Sequence, residues 1–324
     1  MTTPWRQSVV RLGPFLGLLL VVAFFAVASG APERYLSTNN LRVVLAQTVI
    51  VAIGAIGMTL VIVGGGIDLA VGSTIALTGV LCALALRDGW PPLAAVLLAV
   101  LAGGGVGLAN GLAITRLRVV PFIATLGMLG VARGTAKWLA SQTMVNAPAT
   151  WVNELAVTFP PAAWMVFSPG VWIALALALL MGFVLRRTVF GRRVFALGSS
   201  EAAARACGID VSRLKIAIYS FAGLFFGLSG VMQMSRLRQG DPTVAAGTEL
   251  DVIAAVVIGG GSLNGGEGSI LGSMVGALVM AFLRNGSQQM GWPTYVQEIL
   301  IGVIIVVAVA VDRWRHARQE ESEA

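Results

Sequence analysis

Charge is scarce in this sequence. Of its 324 residues, 11% are Asp, Glu, Lys or Arg and 57% are hydrophobic. A soluble domain typically carries about 25% charged residues. The 15 acids and 22 bases here are too few to wet the surface of a globule this size. A soluble protein with a large core is therefore excluded, and the class is a polytopic helical membrane protein. A membrane β-barrel would show alternating segments of about ten residues, and the sequence has no such pattern.

Cysteine, histidine and lysine are scarcer still. The two cysteines are Cys82, inside an apolar run, and Cys207, in a basic loop, and they form no disulfide framework. His316 is the only histidine and lies in a charged tail, which excludes zinc-ligand clusters and a Ser-His-Asp set. The only lysines are Lys137 and Lys215, and neither follows a suitable glycine, so there is no phosphate-cradling P-loop. "GGGVGLANG" at 103–111 fails the G-x-G-x-x-G pattern at its last position. The chain has no recognisable route to ATP. Uphill transport would draw its energy from another subunit or from an ion gradient. The net charge of +7 could suggest a nucleic-acid partner. The bases sit in the short loops between apolar runs, however, which is the positive-inside bias of a membrane protein in contact with lipid.

What is present is long apolar runs. A hydrocarbon core about 30 Å thick needs about 20 apolar residues in helix. The sequence predicts ten spans, at about 13–30, 41–63, 70–86, 92–114, 119–140, 169–186, 213–234, 251–262, 269–284 and 294–311. The eighth is short and reads as a broken or re-entrant helix, or as one whose start lies earlier. Arg6 and Arg11 before the first run, with Ala26-Val27-Ala28 near its end, resemble a signal peptide; an uncleaved first helix fits better with the many spans that follow. An even count returns the C-terminus to the side of the N-terminus. The loop around 186–215 holds Arg186, Arg187, Arg192, Arg193, Arg205, Arg213 and Lys215, so both termini and this loop are expected in the cytoplasm. The expected organisation is a single transmembrane domain over 1–324, with a cytoplasmic loop at 187–212 and an outer loop at 141–168. That outer loop carries Pro148, Pro160, Pro161, Trp151 and Trp164.

Glycines recur every fourth residue at Gly103, Gly107 and Gly111, at Gly223 and Gly227, and at Gly268, Gly272 and Gly276. Such stripes let helix backbones approach closely. Two glycine-rich stretches also resemble each other. "VGGGIDLAVGS" ends at Ser73, and "IGGGSLNGGEGS" runs from Ile258 to Ser269. Transporter folds are often built from duplicated halves, and irregular backbone at membrane depth is tolerated only where it is buried in protein or lines a wet cavity. On this span count both stretches lie on the same side, whereas a simple inverted repeat would put them on opposite sides. Asp68 has two readings, a cap on the next helix or a polar group on a transport path. Glu267 invites the same two.

"GSSEAAARACGID", Gly198 to Asp210, predicts a two-turn helix over Glu201 to Cys207. Serine caps it, alanines favour it and Gly208 stops it. Isolated helices this short are marginal, so the segment is either a solvated linker turn or a docking helix held by a partner.

Four blocks, in order, resemble the permease subunits of bacterial ATP-binding-cassette importers for simple sugars, the ribose-type branch of the binding-protein-dependent permeases. They are "GMTLVIVGGGIDLAVGS", "VPFIATLGMLGVARG", "GRRVFALGSSEAAARACGID" and "ELDVIAAVVIGGGSLNGGEGSILGSMVGAL". The likeness covers roughly 40 to 312. The chain departs from the family's usual serine at Ala70 and at Cys207. The resemblance implies a vitamin-B12-importer-like, all-helical permease fold with protomers paired around a central pathway in the bacterial inner membrane. It implies two cytoplasmic ATPase subunits that carry the ATP and Mg, a periplasmic sugar-binding protein, and no cofactor in this chain. By the same resemblance Gly198, Glu201, Ala202, Ala203, Arg205, Gly208 and Ile209 dock the ATPase, and Gly66, Asp68, Gly72 and Ser73 lie close to the pathway. Phe122, Thr125 and Asn264 are further pathway candidates, although helix packing explains Phe122 and Thr125 equally well. Two other readings are a self-sufficient carrier coupled to ions through Asp68 or Glu298, and a membrane enzyme, for which no nucleophile–base set or metal site is present. No motif names the sugar or says whether the permease pairs with itself or with a related chain.

Overall fold

The computed structural model describes residues 4–160, 162 and 165–323, with side chains described for 12–160, 162, 165–307, 309 and 310. The side chains of Arg6, Arg11 and His316, and the residues Pro161 and Trp164, lie outside this set.

Each of the ten predicted apolar runs lies on a helix. In chain order these are α1 (Pro4–Ala28), the short α2 (Pro32–Tyr35), α3 (Thr38–Val63), α4 (Val71–Arg87), α5 (Pro92–Thr115), α6 (Pro121–Leu139), α7 (Pro169–Arg187), the shorter α8 (Val189–Ser199) and α9 (Glu201–Ala206), then α10 (Val211–Leu237), α11 (Thr248–Ile258), α12 (Ile270–Gln289) and α13 (Thr294–Glu323). Among the described residues five of them, α3, α5, α7, α10 and α12, are long and apolar enough to cross a membrane by length and composition. The starts follow local chemistry. Pro92, Pro121 and Pro169 open α5, α6 and α7, where proline loses no helical hydrogen bond and its φ is already set. Ser37, Asp210 and Ser269 cap α3, α10 and α12 by accepting from Asn40, Arg213 and Gly272 N–H groups. Among the described residues the all-helical expectation holds but for one small antiparallel pair, in which Val145–Asn146 joins Gln239–Gly240. The segment 187–212, expected to hold one helix, holds two: α8 was not anticipated.

Helix α3 is the axis of the fold. In its most apolar window 89% of residues are buried, against 22% in α5 and 28% in α7. Those two helices turn Leu93, Leu97, Leu101, Leu175, Leu179 and Phe183 outward. The glycine stripes pack helix on helix, as expected, except that Gly268 lies before α12 rather than on it. A Cβ on Gly103 would run into the Gly223 carbonyl of α10, and one on Gly276 into the Ala255 carbonyl of α11.

The short eighth run is a broken element. Helix α11 is 11 residues long and is entered through irregular backbone over 241–247. Arg133 of α6 ties that segment down, its guanidinium donating to the Pro242 carbonyl at 3.0 Å and to the Val244 carbonyl. The two similar glycine stretches meet at one end of the molecule, where a Cβ on Gly265 would stand 2.8 Å from the Gly65 Cα. They are therefore not related by a simple inversion across the membrane.

Candidate functional site: a glycine junction beneath an exposed helix

Helix α3 ends at Gly64, and the chain turns back through Gly65, whose φ is +79°. The Gly66 N–H donates to the Val61 carbonyl at 2.9 Å. The Val63 carbonyl, left without a helical partner by that turn, accepts from the Gly266 N–H at 2.9 Å. Between them sits Gly198, near the end of α8. A Cβ there would overlap both the Val63 carbonyl and the Gly266 amide. Three segments far apart in sequence thus meet backbone to backbone, at a contact that has no room for a side chain.

Helix α9 begins three residues after Gly198. Ser200 caps it, accepting from the Ala203 N–H at 3.2 Å. Gly208 stops it in the left-handed conformation, φ +80°, and the Ile209 N–H returns to the Ala204 carbonyl at 3.1 Å. Cys207 is the C-cap rather than part of the helix. Only Ala204 faces inward; Glu201, Ala202, Ala203, Arg205 and Gly208 are exposed and Ile209 is half-buried. Glu201 fixes the orientation. It accepts from Arg205 at 3.0 Å and from Lys215, at the start of α10, at 2.6 Å. The Lys215 hydrogen bond holds the Glu201 carboxyl below the usual carboxylate range against the opposing effect of partial burial. Lys215 as the partner of Glu201 was not anticipated from the sequence, although as one of two lysines in the chain it stood out.

The Gly–Asp stretch runs inward from the junction. Asp68 is buried, and both of its oxygens have partners: Oδ1 accepts from the Ala70 N–H at 2.8 Å and Oδ2 from Asn110 Nδ2 at 3.2 Å. The N-cap of α4 is Ala70 itself, without a side-chain cap, so Asp68 supports the entry to the helix one step upstream. Glu267 is not the cap of α12 either; Ser269 is. The neighbouring Ile67 carbonyl accepts from Thr125 at 3.4 Å and from the Tyr219 hydroxyl at 3.5 Å. Gly66 leaves room for that tyrosine. Gly72 passes so close to the Ala245 carbonyl and the Glu249 carboxylate that a Cβ would overlap both. Ser73 and Thr74 are buried, with hydroxyls lacking partners among the described residues.

Thr125 therefore joins the site. Phe122 does not, being 51% exposed on the outer face of α6. Asn264 is exposed at the glycine junction, its N–H donating to Ser262 at 3.3 Å. Asn110 and Tyr219 were not anticipated; a lone asparagine in the apolar run of α5 was the available signal. Among the described residues no three His, Cys, Asp or Glu side chains lie together as a metal site.

Residues 40–309 match the family model described as the permease component of branched-chain amino acid transport systems. The chain is 40% identical to the ribose import permease protein RbsC of Escherichia coli (strain K12) over 295 residues, 91% of this chain and 92% of that one. It is 34% identical to the fructose import permease protein FrcC of Rhizobium meliloti over 306 residues, 93% and 84% of the two chains. It is also 34% identical to the L-arabinose ABC transporter permease protein AraH of Azospirillum brasilense over 312 residues, 96% and 91%. No solved structure matches significantly. With this coverage and an all-helical, multi-pass architecture, the chain belongs to the ATP-binding-cassette permease family that includes these import permeases.

Proposed function

We propose that this chain is the membrane-spanning subunit of an importer that brings a monosaccharide, a pentose or a hexose, into the cytoplasm. Partner ATPases drive the movement by alternating access, and no chemistry occurs in this chain. Its work is to hold a passage and to change shape. The relatives named for ribose, fructose and arabinose support the substrate class.

One observation carries the mechanism: Gly198, three residues before the exposed α9, is wedged between the Val63 carbonyl and the Gly266 amide. A force on α9 reaches both glycine loops directly, because the contact is backbone on backbone. From Val63 it continues through 64–72, which α5, α6 and α10 hold at Asp68 and Ile67. The same motion reaches the broken segment at Ala245. Close-packed elements shift between discrete arrangements rather than deforming smoothly, as alternating access requires.

In this reading α9 and the rest of 187–212 face the cytoplasm in the bacterial inner membrane, as do both termini, and dock an ATP-binding subunit that carries the nucleotide and its Mg. The segment 141–168 lies on the periplasmic side, towards a sugar-binding protein, and a second permease protomer completes the pathway. The test is gentle extraction of the chain expressed with its neighbouring gene products. A co-purifying ATPase whose hydrolysis rises with sugar and binding protein supports the importer. A solitary chain whose uptake collapses with a protonophore at constant ATP would instead make it an ion-coupled carrier.

A further inference from the structure

Helix α7 carries an apolar stripe that ends in charge. Trp172, Leu175, Leu179 and Phe183 are exposed, and so are Arg186 and Arg187 on the next turn. At about 3.6 residues per turn these six positions share one face, opposite the buried Ala174 and Met181. From Leu175 to Phe183 the helix rises about 12 Å, close to half of a hydrocarbon core about 30 Å thick. A stripe of that length matches one leaflet, with two guanidinium groups at its end.

The charge continues around the corner. Thr188 is both the C-cap of α7 and the N-cap of α8, so α8 starts where the stripe stops. Its Val194 and Leu197 are buried, whereas Val189, Arg192 and Arg193 are exposed. The Phe190 ring packs edge-on against Phe221 of α10, centroids 5.7 Å apart, and Phe221 is itself 47% exposed. A helix with arginines beside outward apolar side chains fits the boundary between headgroups and acyl chains.

The four arginines have no acid to offset them. The only acids between positions 186 and 215 are Glu201 and Asp210. Both are engaged, Glu201 by Arg205 and Lys215 and Asp210 by Arg213. Among the described residues none of the four forms an ion pair. Positive charge at the cytoplasmic end of a span sets orientation, and for that any arrangement serves. Here four planar groups suited to bidentate phosphate binding fall within 186–193 and border an apolar stripe of leaflet length.

We propose that Arg186, Arg187, Arg192 and Arg193 bind the phosphate headgroup of an anionic phospholipid, whose acyl chain lies along the outward stripe of α7. Basic clusters of this size beside a span are what an anionic leaflet attracts. The lipid takes the bilayer side of the segment and leaves α9, beyond Gly198, to the ATPase. The inference goes beyond the importer reading and needs only that the chain spans a membrane, because lipid binding requires neither sugar nor ATP.

The test reads lipid retention. The transporter complex is loaded with phosphatidylglycerol and phosphatidylcholine in equal amounts and washed in plain detergent, and the retained lipid is counted by native mass spectrometry. Wild type should keep phosphatidylglycerol over phosphatidylcholine by about tenfold. Arg186→Gln/Arg187→Gln and Arg192→Gln/Arg193→Gln should each cut that preference about fivefold. Arg186→Lys/Arg187→Lys keeps the charge and loses the planar fork, and should cut it about twofold. Removing charge at a span end can also disturb insertion; where Arg186→Gln/Arg187→Gln fails to assemble, the lysine variant and the α8 variant decide. Unchanged preference in the variants that assemble overturns the site. So does loss of the ATPase from Arg192→Gln/Arg193→Gln at unchanged lipid preference, which assigns α8 to that partner. A wild type without preference overturns it as well, and disulfide cross-linking of Leu179→Cys between two copies would then assign the stripe to a second protomer. A chain that prefers phosphatidylglycerol and yet moves no sugar with ATP supports the site and overturns the importer reading alone.

Discussion

The amide of Gly266 donates to the carbonyl of Val63 at 2.9 Å, across more than half the chain, and Gly198 fills the space beside that bond. Each partner ends up there for a local reason. Val63 ends a helix with a carbonyl to satisfy, Gly266 sits in a left-handed turn that frees its N–H, and Gly198 brings no side chain. The contact makes the exposed helix α9 and the interior Gly–Asp stretch parts of one mechanical unit.

Substituting Gly198 tests that unit. Gly198→Ala forces a methyl into two backbones, and overpacking of this kind typically costs about 1–3 kcal/mol. The expected result is an assembled complex with a lower melting temperature and sugar uptake reduced at least about tenfold. Gly89→Ala perturbs only the exposed turn between α4 and α5, where a Cβ meets nothing within 4 Å, and should cost about 1 kcal/mol or less, with uptake largely kept. Equal uptake defects in both variants would remove the special role of the junction.

Glu201 positions α9 through Lys215 and Arg205, and this has a pH signature. Its carboxyl is held below the ordinary range by the Lys215 hydrogen bond. A depressed carboxylate contributes its full stabilisation above the unfolded value of about 4.3 and loses it as pH falls through the folded value. Hydrogen-exchange protection of α9 should therefore be flat from about pH 8 down to 5 and fall below that. In Glu201→Gln it should be lower across that plateau, lack the fall, and meet the wild-type value at low pH. Because the pair is half-exposed the effect on global stability is small, whereas Glu201→Lys should visibly weaken retention of the ATPase. ATPase retention and uptake at wild-type levels in Glu201→Lys would end the positioning role.

Asp68 distinguishes a structural carboxylate from a coupling one. Asn110 Oδ1 has no partner among the described residues, so in Asp68→Asn the Asn110 amide can flip and accept from the new Nδ2, while the Ala70 N–H keeps its acceptor. Uptake should remain within about threefold of wild type. Asp68→Ala strands the Ala70 N–H and the Asn110 amide and should lower uptake at least about tenfold. Loss of all transport in Asp68→Asn would instead mark an ion-coupling residue.

Much of this was legible in the sequence, and what was missed follows a pattern. Apolar runs located ten of the thirteen helices among the described residues, because run length is a local signal. The α9 cap, helix and glycine stop were readable for the same reason. Helix α8 was hidden because its arginines read as loop. The ion pair between Asp251 of α11 and Arg284 of α12 was missed because the two residues sit 33 positions apart on different helices, each a single charge at the edge of an apolar run. Lone ionisable groups in such runs are functional candidates by default, so the signal was present without its partner. The fate of the two glycine stretches was also beyond sequence: only the fold shows Gly65 and Gly265 side by side. Phe122, a pathway candidate by type, lies on an exposed face of α6 away from the Asp68 contacts, a placement its residue type did not fix.

The central claim is that α9 is the surface an ATPase grips, and the chain carries its own probe for it. Cys207 caps α9 and is exposed, whereas Cys82 is buried. A membrane-impermeant maleimide should label Cys207 in inside-out vesicles and leave it unlabelled in intact cells, and co-expression of the ATPase subunit should protect it. Labelling from the outer face, or labelling at an undiminished rate with the ATPase stably bound, would contradict the account.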